Sequence, residues 1–365
     1  MKIGILGTRG IPNHYGGFEQ FAEHFSVYMA AQGHDVWVYN SSSHPYPEHT
    51  YKGVNIISVY DPEKTIGTVG QFVYDALCIR DSRKRNFDVL LQLGYTSSSV
   101  FSFMMPKQTV IVTNMDGLEW KRSKYSPTVQ KFLKRAERWA ALKSDNLIAD
   151  SIGIQTHLLS NYHKQSEYIP YGAEIFDKAN SAMLPGPLTA GSYHLLIARM
   201  EPENNIETII KATLSLDKGK PLVVVGNYNN RYGTMLFKKY HSDRIRFVGG
   251  IYDTGILNNL RWYADWYFHG HSVGGTNPSL IEAMACSCAI IAHDNVFNRS
   301  ILGETAPYFS NEQSLVEVLN MQIDRTDLKK NNSEKVQRLY KPDILHRQLE
   351  VYLLNCLNNG TTRHS

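Results

Sequence analysis

The two halves of the chain begin with the same pattern: an apolar strand, a turn and an amphipathic helix. Lys2 to Leu6 is a short strand of the buried type, and apolar residues at helical spacing run from Phe18 to a closing Gly33. A second strand, Tyr193 to Ala198, precedes a helix predicted over 204–216. This alternation predicts doubly wound α/β sheets. At 365 residues, the chain is long enough for two domains of this kind.

Composition narrows the classes of function. The hydrophobic fraction is 42% and the charged fraction 20%, as in ordinary globular proteins, and a net charge of +4 is too small to indicate a nucleic-acid partner. The chain enters a strand at once, and no apolar run reaches the ~18 residues of a membrane span, so we expect a cytoplasmic protein. Four cysteines without a Cys-x-x-Cys pair indicate reduced thiols. We also expect no metal, since neither Asp-x-Asp nor a His or Cys cluster of ligand spacing occurs.

The stretch from His269 to Ala292 carries a binding signal. Pro278 fits the first position of a helix and Asn277 fits its cap, while Gly274 and Gly275 allow a ligand to approach the backbone closely. The amino end of this helix, from Asn277 to Leu280, is expected to present unsatisfied amides to a phosphate. One turn later, a carboxylate at Glu282 would point back toward this loop and could accept hydrogen bonds from a ribose diol. An ordinary turn before a solvated helix explains the same local pattern equally well.

The N-terminal glycines offer an alternative of another class. Gly4, Gly7 and Gly10 fit a spaced-glycine dinucleotide fingerprint, which would make the chain an NAD-dependent sugar-nucleotide epimerase or dehydrogenase. Two observations count against it. The strand predicted after the first helix, Asp35 to Tyr39, runs into Asn40 rather than an acidic ribose ligand. The only Tyr-x-x-x-Lys, Tyr60 to Lys64, contains a proline that disfavours a helix.

Two motifs carry a family resemblance. The segment from Glu282 to Ala285, EAMA, and the Gly-Gly-x-Glu that begins at Gly16 resemble motifs of the retaining family 4 glycosyltransferases. The longer segment SVGGTNPSLIEAMA is similar to the branch of bacterial polysaccharide rhamnosyltransferases. The resemblance implies an α/β protein of the GT-B fold, with two Rossmann-like doubly wound domains facing a cleft.

This resemblance, together with composition, divides the chain into four parts. Residues 1–177 would form an acceptor-binding Rossmann-like domain, and residues 178–191, rich in Pro, Gly and small side chains, a linker. Residues 192–340 would bind the nucleotide sugar. Residues 341–365 would form a helix that crosses back to the N-terminal domain, followed by a polar, frayed tail from Asn358 to Ser365.

The resemblance also implies the site residues. Arg199 matches the family's phosphate-binding Arg, whereas Asn204 and Gly274 replace a Lys and a Glu. Asn114 and Asp116 stand where the family has a His-rich turn that contacts the transferred sugar. Catalytic roles fall to Arg199, Glu282 and Asp116. The donor-binding set is Gly16, Gly17, Asn114, Arg199, Asn204, Gly274, Gly275, Thr276, Asn277, Pro278, Ser279, Leu280 and Glu282.

Local chemistry supplies simpler roles for three of these positions. Asn114 and Asp116 also fit an ordinary Asx turn. Arg199 could form a surface ion pair with Glu201 or Glu203.

The function implied is a retaining, metal-independent glycosyltransferase without a cofactor. It would move a sugar, preferably rhamnose from dTDP-rhamnose, to a glycan or polyprenyl-diphosphate-linked acceptor in bacterial surface polysaccharide synthesis. A UDP-hexose donor is the alternative within the fold. A non-catalytic nucleotide-sugar binding protein is a further alternative, because the family's Lys and Glu are missing at Asn204 and Gly274.

Basic residues cluster in the N-terminal half. The helix predicted over Pro127 to Lys143 carries Lys131, Lys134, Arg135 and Arg138 on one face, and 83–85 adds Arg-Lys-Arg. A solvated helix face is the simpler explanation. The alternative hypothesis is a patch that binds anionic lipid at the inner face of the plasma membrane.

Overall fold

The computed structural model describes residues 1–14, 16–122, 125–217, 219–273, 275–304 and 306–361. They form two compact units. The first comprises Met1–Trp120, Tyr125–Pro170 and the chain from Asp343 onward. The second comprises Tyr171–Pro342 together with Lys121 and Arg122.

The first unit is built around an eight-stranded sheet. Its strands are β1 (Lys2–Leu6), β2 (Asp35–Ser41), β3 (Thr50–Tyr51), β4 (Val54–Val59), β5 (Val89–Leu93), β6 (Val110–Asn114), β7 (Asn146–Ala149) and β8 (Glu167–Tyr168). The helices between them are α1 (Gly17–Ala31), α2 (Glu63–Ile66), α3 (Val69–Ser82), α4 (Pro127–Lys143) and α5 (Ile152–Tyr162). The strand order is β3-β4-β2-β1-β5-β6-β7-β8, parallel except for the β3–β4 pair.

The second unit contains a six-stranded parallel sheet. Its strands are β9 (His194–Ile197), β10 (Leu222–Val225), β11 (Ile245–Gly249), β12 (Tyr267–His269), β13 (Ile290–His293) and β14 (Tyr308–Phe309). Its helices are α6 (Ile206–Leu214), α7 (Arg231–Tyr240), α8 (Thr254–Tyr263), α9 (Pro278–Ala285), α10 (Val296–Leu302), α11 (Glu312–Asn320) and α12 (Arg325–Lys335). The strand order is β11-β10-β9-β12-β13-β14.

Both sheets are doubly wound, which confirms the predicted fold class. Strand order reverses between β1 and β5 in the first sheet and between β9 and β12 in the second. Open α/β sheets bind ligands outside the carboxyl ends of their strands at such reversals. The topology therefore singles out the turns after β1 and β5 in one unit, and those after β9 and β12 in the other.

The helix expected over 204–216 begins later than predicted. Asn205 has a φ of +52°, in the left-handed region, so it cannot continue a right-handed helix. A short 3₁₀ turn, Pro202–Asn204, precedes it, and α6 starts at Ile206. The residues after β9 therefore form a tight turn.

The last helix, α13 (Pro342–Thr361), packs against the first unit. Leu349, Leu353 and Cys356 are buried in one cluster with Ile3 and Phe25. The Tyr352 hydroxyl donates to the Leu147 carbonyl at 3.1 Å. The helix extends to Thr361, so the residues from Asn358 to Thr361, expected to be a frayed tail, are helical.

The linker expected over 178–191 belongs to the second unit. The chain passes from one unit to the other between Pro170 and Tyr171. Leu184 and Leu188 are buried in the core around β9 and α9. Two leucines in a segment otherwise rich in small residues therefore suffice to anchor it.

A buried carboxylate organises the first unit near β6. Glu137 of α4 is 2% exposed and accepts hydrogen bonds from Trp120 Nε1 at 3.0 Å, Tyr162 Oη at 2.6 Å and His157 Nε2 at 2.7 Å. Burial alone would raise the pKa of Glu137, but the hydrogen bonds from His157 and Tyr162 hold it below its usual value. Glu137 thereby joins α4, α5 and the segment that follows β6.

We predict that Glu137→Ala lowers the free energy of unfolding by about 3 kcal/mol, because it leaves buried donors without an acceptor. Urea unfolding followed by tryptophan fluorescence measures the change. The control is Arg135→Ala, an exposed position on the same helix, with an expected change below about 0.5 kcal/mol. A folded-state pKa below the unfolded one also means that this stabilisation is present above the unfolded-state pKa and is lost as pH falls through the folded-state pKa. Equal effects of both substitutions would contradict the assignment.

Candidate functional site

The turns after β9 and β12 are tied together at the carboxyl edge of the second sheet. Asn205 Nδ2 donates to the Gly270 carbonyl at 2.8 Å, and the Ser272 amide donates to the Glu203 carbonyl at 3.0 Å. A Cβ at Gly270 would lie 2.1 Å from the carbonyl oxygen of Asn204. Only glycine permits this approach.

Asn204 has a structural part in this turn. It is buried, and its Nδ2 donates to the carbonyl of Arg199 at 2.7 Å. The side chain that replaces the family's Lys therefore shapes the turn that carries Arg199.

Arg199 is exposed just beyond β9, and among the described residues it makes no ion pair. Glu201, offered above as its partner, instead pairs with Arg122 at 3.6 Å. Desolvation and the positive charges of Arg199 and Arg122 lower the pKa of His271 to about 3. His271 is therefore neutral at physiological pH, beside cations that favour an anionic ligand.

Two histidines at this edge were missed by the sequence analysis. The rings of His269 and His271 stack with their centroids 4.4 Å apart. His269 is fully buried, and neither of its ring nitrogens has a hydrogen-bond partner among the described residues. Desolvation, with the neighbouring His271 and His293, lowers its pKa well below the usual value. The His-x-His that ends a predicted strand was the available signal.

The start of α9 confirms the predicted cap and modifies the predicted anion site. Asn277 Oδ1 accepts the Ser279 amide at 2.9 Å, and the Asn277 carbonyl accepts the Leu280 amide at 3.0 Å. Pro278 has no amide hydrogen. Contrary to expectation, the amides at 279 and 280 are therefore not open to a phosphate, and α9 would act on an anion through its dipole.

Several other predicted residues of this loop face inward. The Ser279 hydroxyl pairs with Tyr267 Oη at 2.6 Å, Leu280 lies in the core, and Thr276 is buried. Gly275 is half-buried, and Gly274 lies outside the described residues. The loop thus contributes backbone more than side chains to the edge of the sheet.

Glu282 lies at the boundary between core and solvent. Its side chain is 33% exposed, and its Oε2 accepts a hydrogen bond from Nη2 of Arg261. Arg261 lies on α8 with only 4% of its side chain exposed. The sequence analysis did not identify this arginine, because nothing in the local pattern of α8 distinguishes it.

The predicted residues of the first unit lie at the matching edge of its own sheet. Gly16 and Gly17 lie at the start of α1, and a Cβ at Gly17 would meet no atom within 4 Å. Asn114 ends β6 with 5% exposure, and its Oδ1 has no hydrogen-bond partner among the described residues. Asp116 is half-buried in the turn that follows.

The turn after β1 is already occupied by side chains of the first unit. Glu19 Oε1 accepts the Arg9 amide at 2.7 Å, and Thr8 Oγ1 accepts the Gly10 amide at 3.0 Å. Asn40, where a dehydrogenase would present a ribose ligand, accepts the Ile11 amide at 3.0 Å. The amides that would cradle a dinucleotide pyrophosphate are thus used internally, which disfavours the NAD-dependent alternative.

Family models match both halves of the chain. Residues 1–174 match the model described as Domain of unknown function (DUF1972), and residues 190–340 match Glycosyl transferases group 1. Comparison with curated proteins gives no match. The second unit therefore carries a group 1 glycosyltransferase domain.

Solved structures match nearly the whole chain and show the GT-B fold. Sucrose-phosphate synthase from Thermosynechococcus elongatus is 18% identical with a TM-score of 0.78, over 98% of this chain and 99% of that one. Anabaena Alr3699/HepE in complex with UDP and glucose is 15% identical with a TM-score of 0.73, over 97% and 100%. α,α-Trehalose 6-phosphate synthase from Burkholderia multivorans is 9% identical with a TM-score of 0.73, over 100% and 99%.

Two further findings concern metal binding and membrane spans. They include no group of three or more His, Cys, Asp or Glu side chains that could hold a metal ion. None of the described helices combines the length and apolar character of a membrane span.

We predict that Gly270→Ala separates the turns after β9 and β12, because its methyl group would collide with the Asn204 carbonyl. The expected loss in free energy of unfolding is about 1–3 kcal/mol, measured by urea unfolding. The matched control is Gly17→Ala, where the methyl group has room and a helix position favours alanine, so stability should stay constant or rise slightly. An unchanged unfolding midpoint for Gly270→Ala would show that the close approach is not required.

Proposed function

We propose that the chain is a retaining, metal-independent glycosyltransferase whose donor is a nucleoside diphosphate sugar. The preferred donor is dTDP-rhamnose, and the acceptor is a glycan or polyprenyl-diphosphate-linked glycan of a bacterial surface polysaccharide. The preference for rhamnose rests on the resemblance of SVGGTNPSLIEAMA to that branch.

The observation that carries the proposal is the set of groups at the β9–β12 reversal. Exposed Arg199 and the amino end of α9 supply positive potential at the carboxyl edge of the sheet. Glu282, one turn into α9, offers a carboxylate to sugar hydroxyls. A nucleoside diphosphate sugar carries both an anionic diphosphate and sugar hydroxyls, and these residues lie in the matched glycosyltransferase domain.

Such a site acts on the leaving group. As the bond from the anomeric carbon to the diphosphate oxygen breaks, negative charge develops on the diphosphate, and Arg199 stabilises it. The acceptor oxygen bonds to the anomeric carbon from the same face, and its proton passes to the leaving phosphate oxygen. No protein nucleophile is needed. Asn114 and Asp116 would contact the transferred sugar.

A UDP-hexose donor is the second candidate. Solved structures of the same fold include one bound to UDP-glucose and one bound to UDP-2-fluoro glucose. These ligands belong to those proteins, but they make UDP the first alternative to dTDP.

We predict that dTDP or UDP raises the melting temperature without added magnesium, since a ligand of the native state stabilises it by mass action. Arg199→Ala should weaken binding about 10-fold or more, because it removes a charged hydrogen-bond donor. Titration calorimetry measures both proteins. Lys238→Ala, an exposed cation in the last turn of α7, is the control and should bind normally.

Activity and alternative ligands separate the competing functions. Incubation with dTDP-rhamnose or UDP-glucose should release the nucleoside diphosphate when an acceptor is present, and NMR of the product should show a retained anomeric configuration. Stabilisation by NAD(H) alone would reject the proposal in favour of a redox enzyme. Nucleotide-sugar binding without turnover toward lipid-linked glycan acceptors would favour a binding protein.

We further propose that the first unit binds anionic membrane surfaces. All exposed charges on α4 are positive, because its only carboxylate, Glu137, is buried. Exposed apolar side chains accompany them: Val129 on α4 itself, Val69 on α3 and Phe103, which is 81% exposed. Phe72 of α3 and Phe132 of α4 pack with ring centroids 5.9 Å apart, which joins the two helices. Cations beside exposed apolar side chains suit a lipid interface.

We predict that the protein floats with vesicles that contain phosphatidylglycerol and stays behind with neutral phosphatidylcholine vesicles. The double substitution Lys131→Glu and Arg135→Glu should abolish flotation, because it reverses the charge at one turn's spacing on α4. Lys238→Glu with Lys330→Glu, two exposed positions of the second unit, makes the same charge change and should leave flotation intact. Equal loss in both variants would reduce the effect to net charge and contradict a specific surface.

A further inference from the structure

Arg261 is a buried cation beneath the candidate site. Its Nη2 donates to Glu282 Oε2 and its Nη1 to Asn258 Oδ1 at 3.1 Å, while Nε has no hydrogen-bond partner among the described residues. Tyr267 and Cys288 lie near it, and both belong, with the adjacent Leu260, to an apolar core. A guanidinium group in such surroundings carries a large desolvation cost.

Stability does not account for this arginine. An apolar side chain of similar volume usually replaces a buried ion pair without loss of stability, and often with a gain. Among the described residues the contact with Glu282 is its only ion pair. The function of Arg261 is therefore to be sought in what it does to Glu282.

The contact divides the two oxygens of the Glu282 carboxylate. Oε2 faces the buried guanidinium, and Oε1 has no hydrogen-bond partner among the described residues. Each carboxylate oxygen can accept two hydrogen bonds, and the guanidinium already takes one of those sites on Oε2. Oε1 therefore keeps the greater capacity to accept a hydroxyl of the ligand. Arg261 also balances the charge of Glu282, so that the carboxylate does not repel a diphosphate drawn by Arg199.

We propose that Arg261 is a specificity-determining, positioning residue that restricts Glu282 to a single hydroxyl of the nucleoside sugar. This inference rests on the proposed nucleotide site. The hydroxyl we assign to Glu282 is the 3′-hydroxyl, which ribose and 2′-deoxyribose share, so the site gains little from a 2′-hydroxyl and accepts 2′-deoxyribonucleoside diphosphates as readily as ribonucleoside diphosphates. The donor class thereby includes thymidine diphosphate sugars.

The test uses six nucleoside diphosphates, in which each of three sugars, ribose, 2′-deoxyribose and 2′,3′-dideoxyribose, is combined with uracil and with thymine. Titration calorimetry on the full chain gives the affinities. The unmutated protein should bind the ribose and 2′-deoxyribose forms within about 3-fold of each other. It should bind the dideoxy form about 10-fold or more weakly, because a hydrogen bond to the charged carboxylate is lost.

Two variants identify the source of this pattern. Arg261→Met frees Oε2, so the ribose form should gain about 10-fold over the 2′-deoxyribose form. A purely structural role for Arg261 would change all affinities together and leave that ratio constant. Glu282→Ala should give the three sugars equal affinities. This variant still tests the proposal if Arg261→Met does not fold.

Two outcomes lead to different conclusions. A preference of 10-fold or more for ribose over 2′-deoxyribose in the unmutated protein would overturn the role of Arg261 and leave the nucleotide site standing. Failure of every nucleotide to bind would instead reject the proposed function itself, and this inference with it.

Discussion

The close contact between the turns after β9 and β12 determines the candidate site. With no side chain at Gly270, the backbone of Asn204 lies against the end of β12, and hydrogen bonds from Asn205 and Ser272 join the two turns. The strand order reverses between these strands, so the joined turns line the crevice at the edge of the sheet. Arg199 and His271 owe their positions to this junction.

Electrostatics at this edge follow from burial. The imidazoles of His269 and His271 are neutral, because the site desolvates them and, for His271, because Arg199 and Arg122 are close. Glu282 is the one predicted site carboxylate in the second unit, and its charge is balanced by Arg261. The edge thus keeps a positive field while still offering a hydroxyl acceptor, the combination that a sugar diphosphate requires.

In the first unit, two carboxylates hold turns in place by accepting hydrogen bonds. Glu19 takes up the backbone amide after β1, and Glu137 collects hydrogen bonds from Trp120, His157 and Tyr162 behind the turn after β6. Each carboxylate fixes a turn at the carboxyl edge of the sheet. The contact of Glu19 uses an amide that a dinucleotide at the N-terminal glycines would need, although the glycine spacing in the sequence permits one.

The sequence by itself determined the α/β class, the strand and helix that open each half, and the cap at Asn277 and Pro278, because periodicity, glycine turns and capping are local properties of the chain. The family resemblance carried by its motifs also pointed to Arg199 and Glu282. Only the tertiary structure decided that Asn204 shapes a turn, that the amides at 279 and 280 are occupied, and that Arg261 holds Glu282. Arg261 and Glu282 are 21 residues apart and on different helices, and packing brings them together. Hydrogen bonds between distant elements and the burial of charge depend on that packing, which no local pattern encodes.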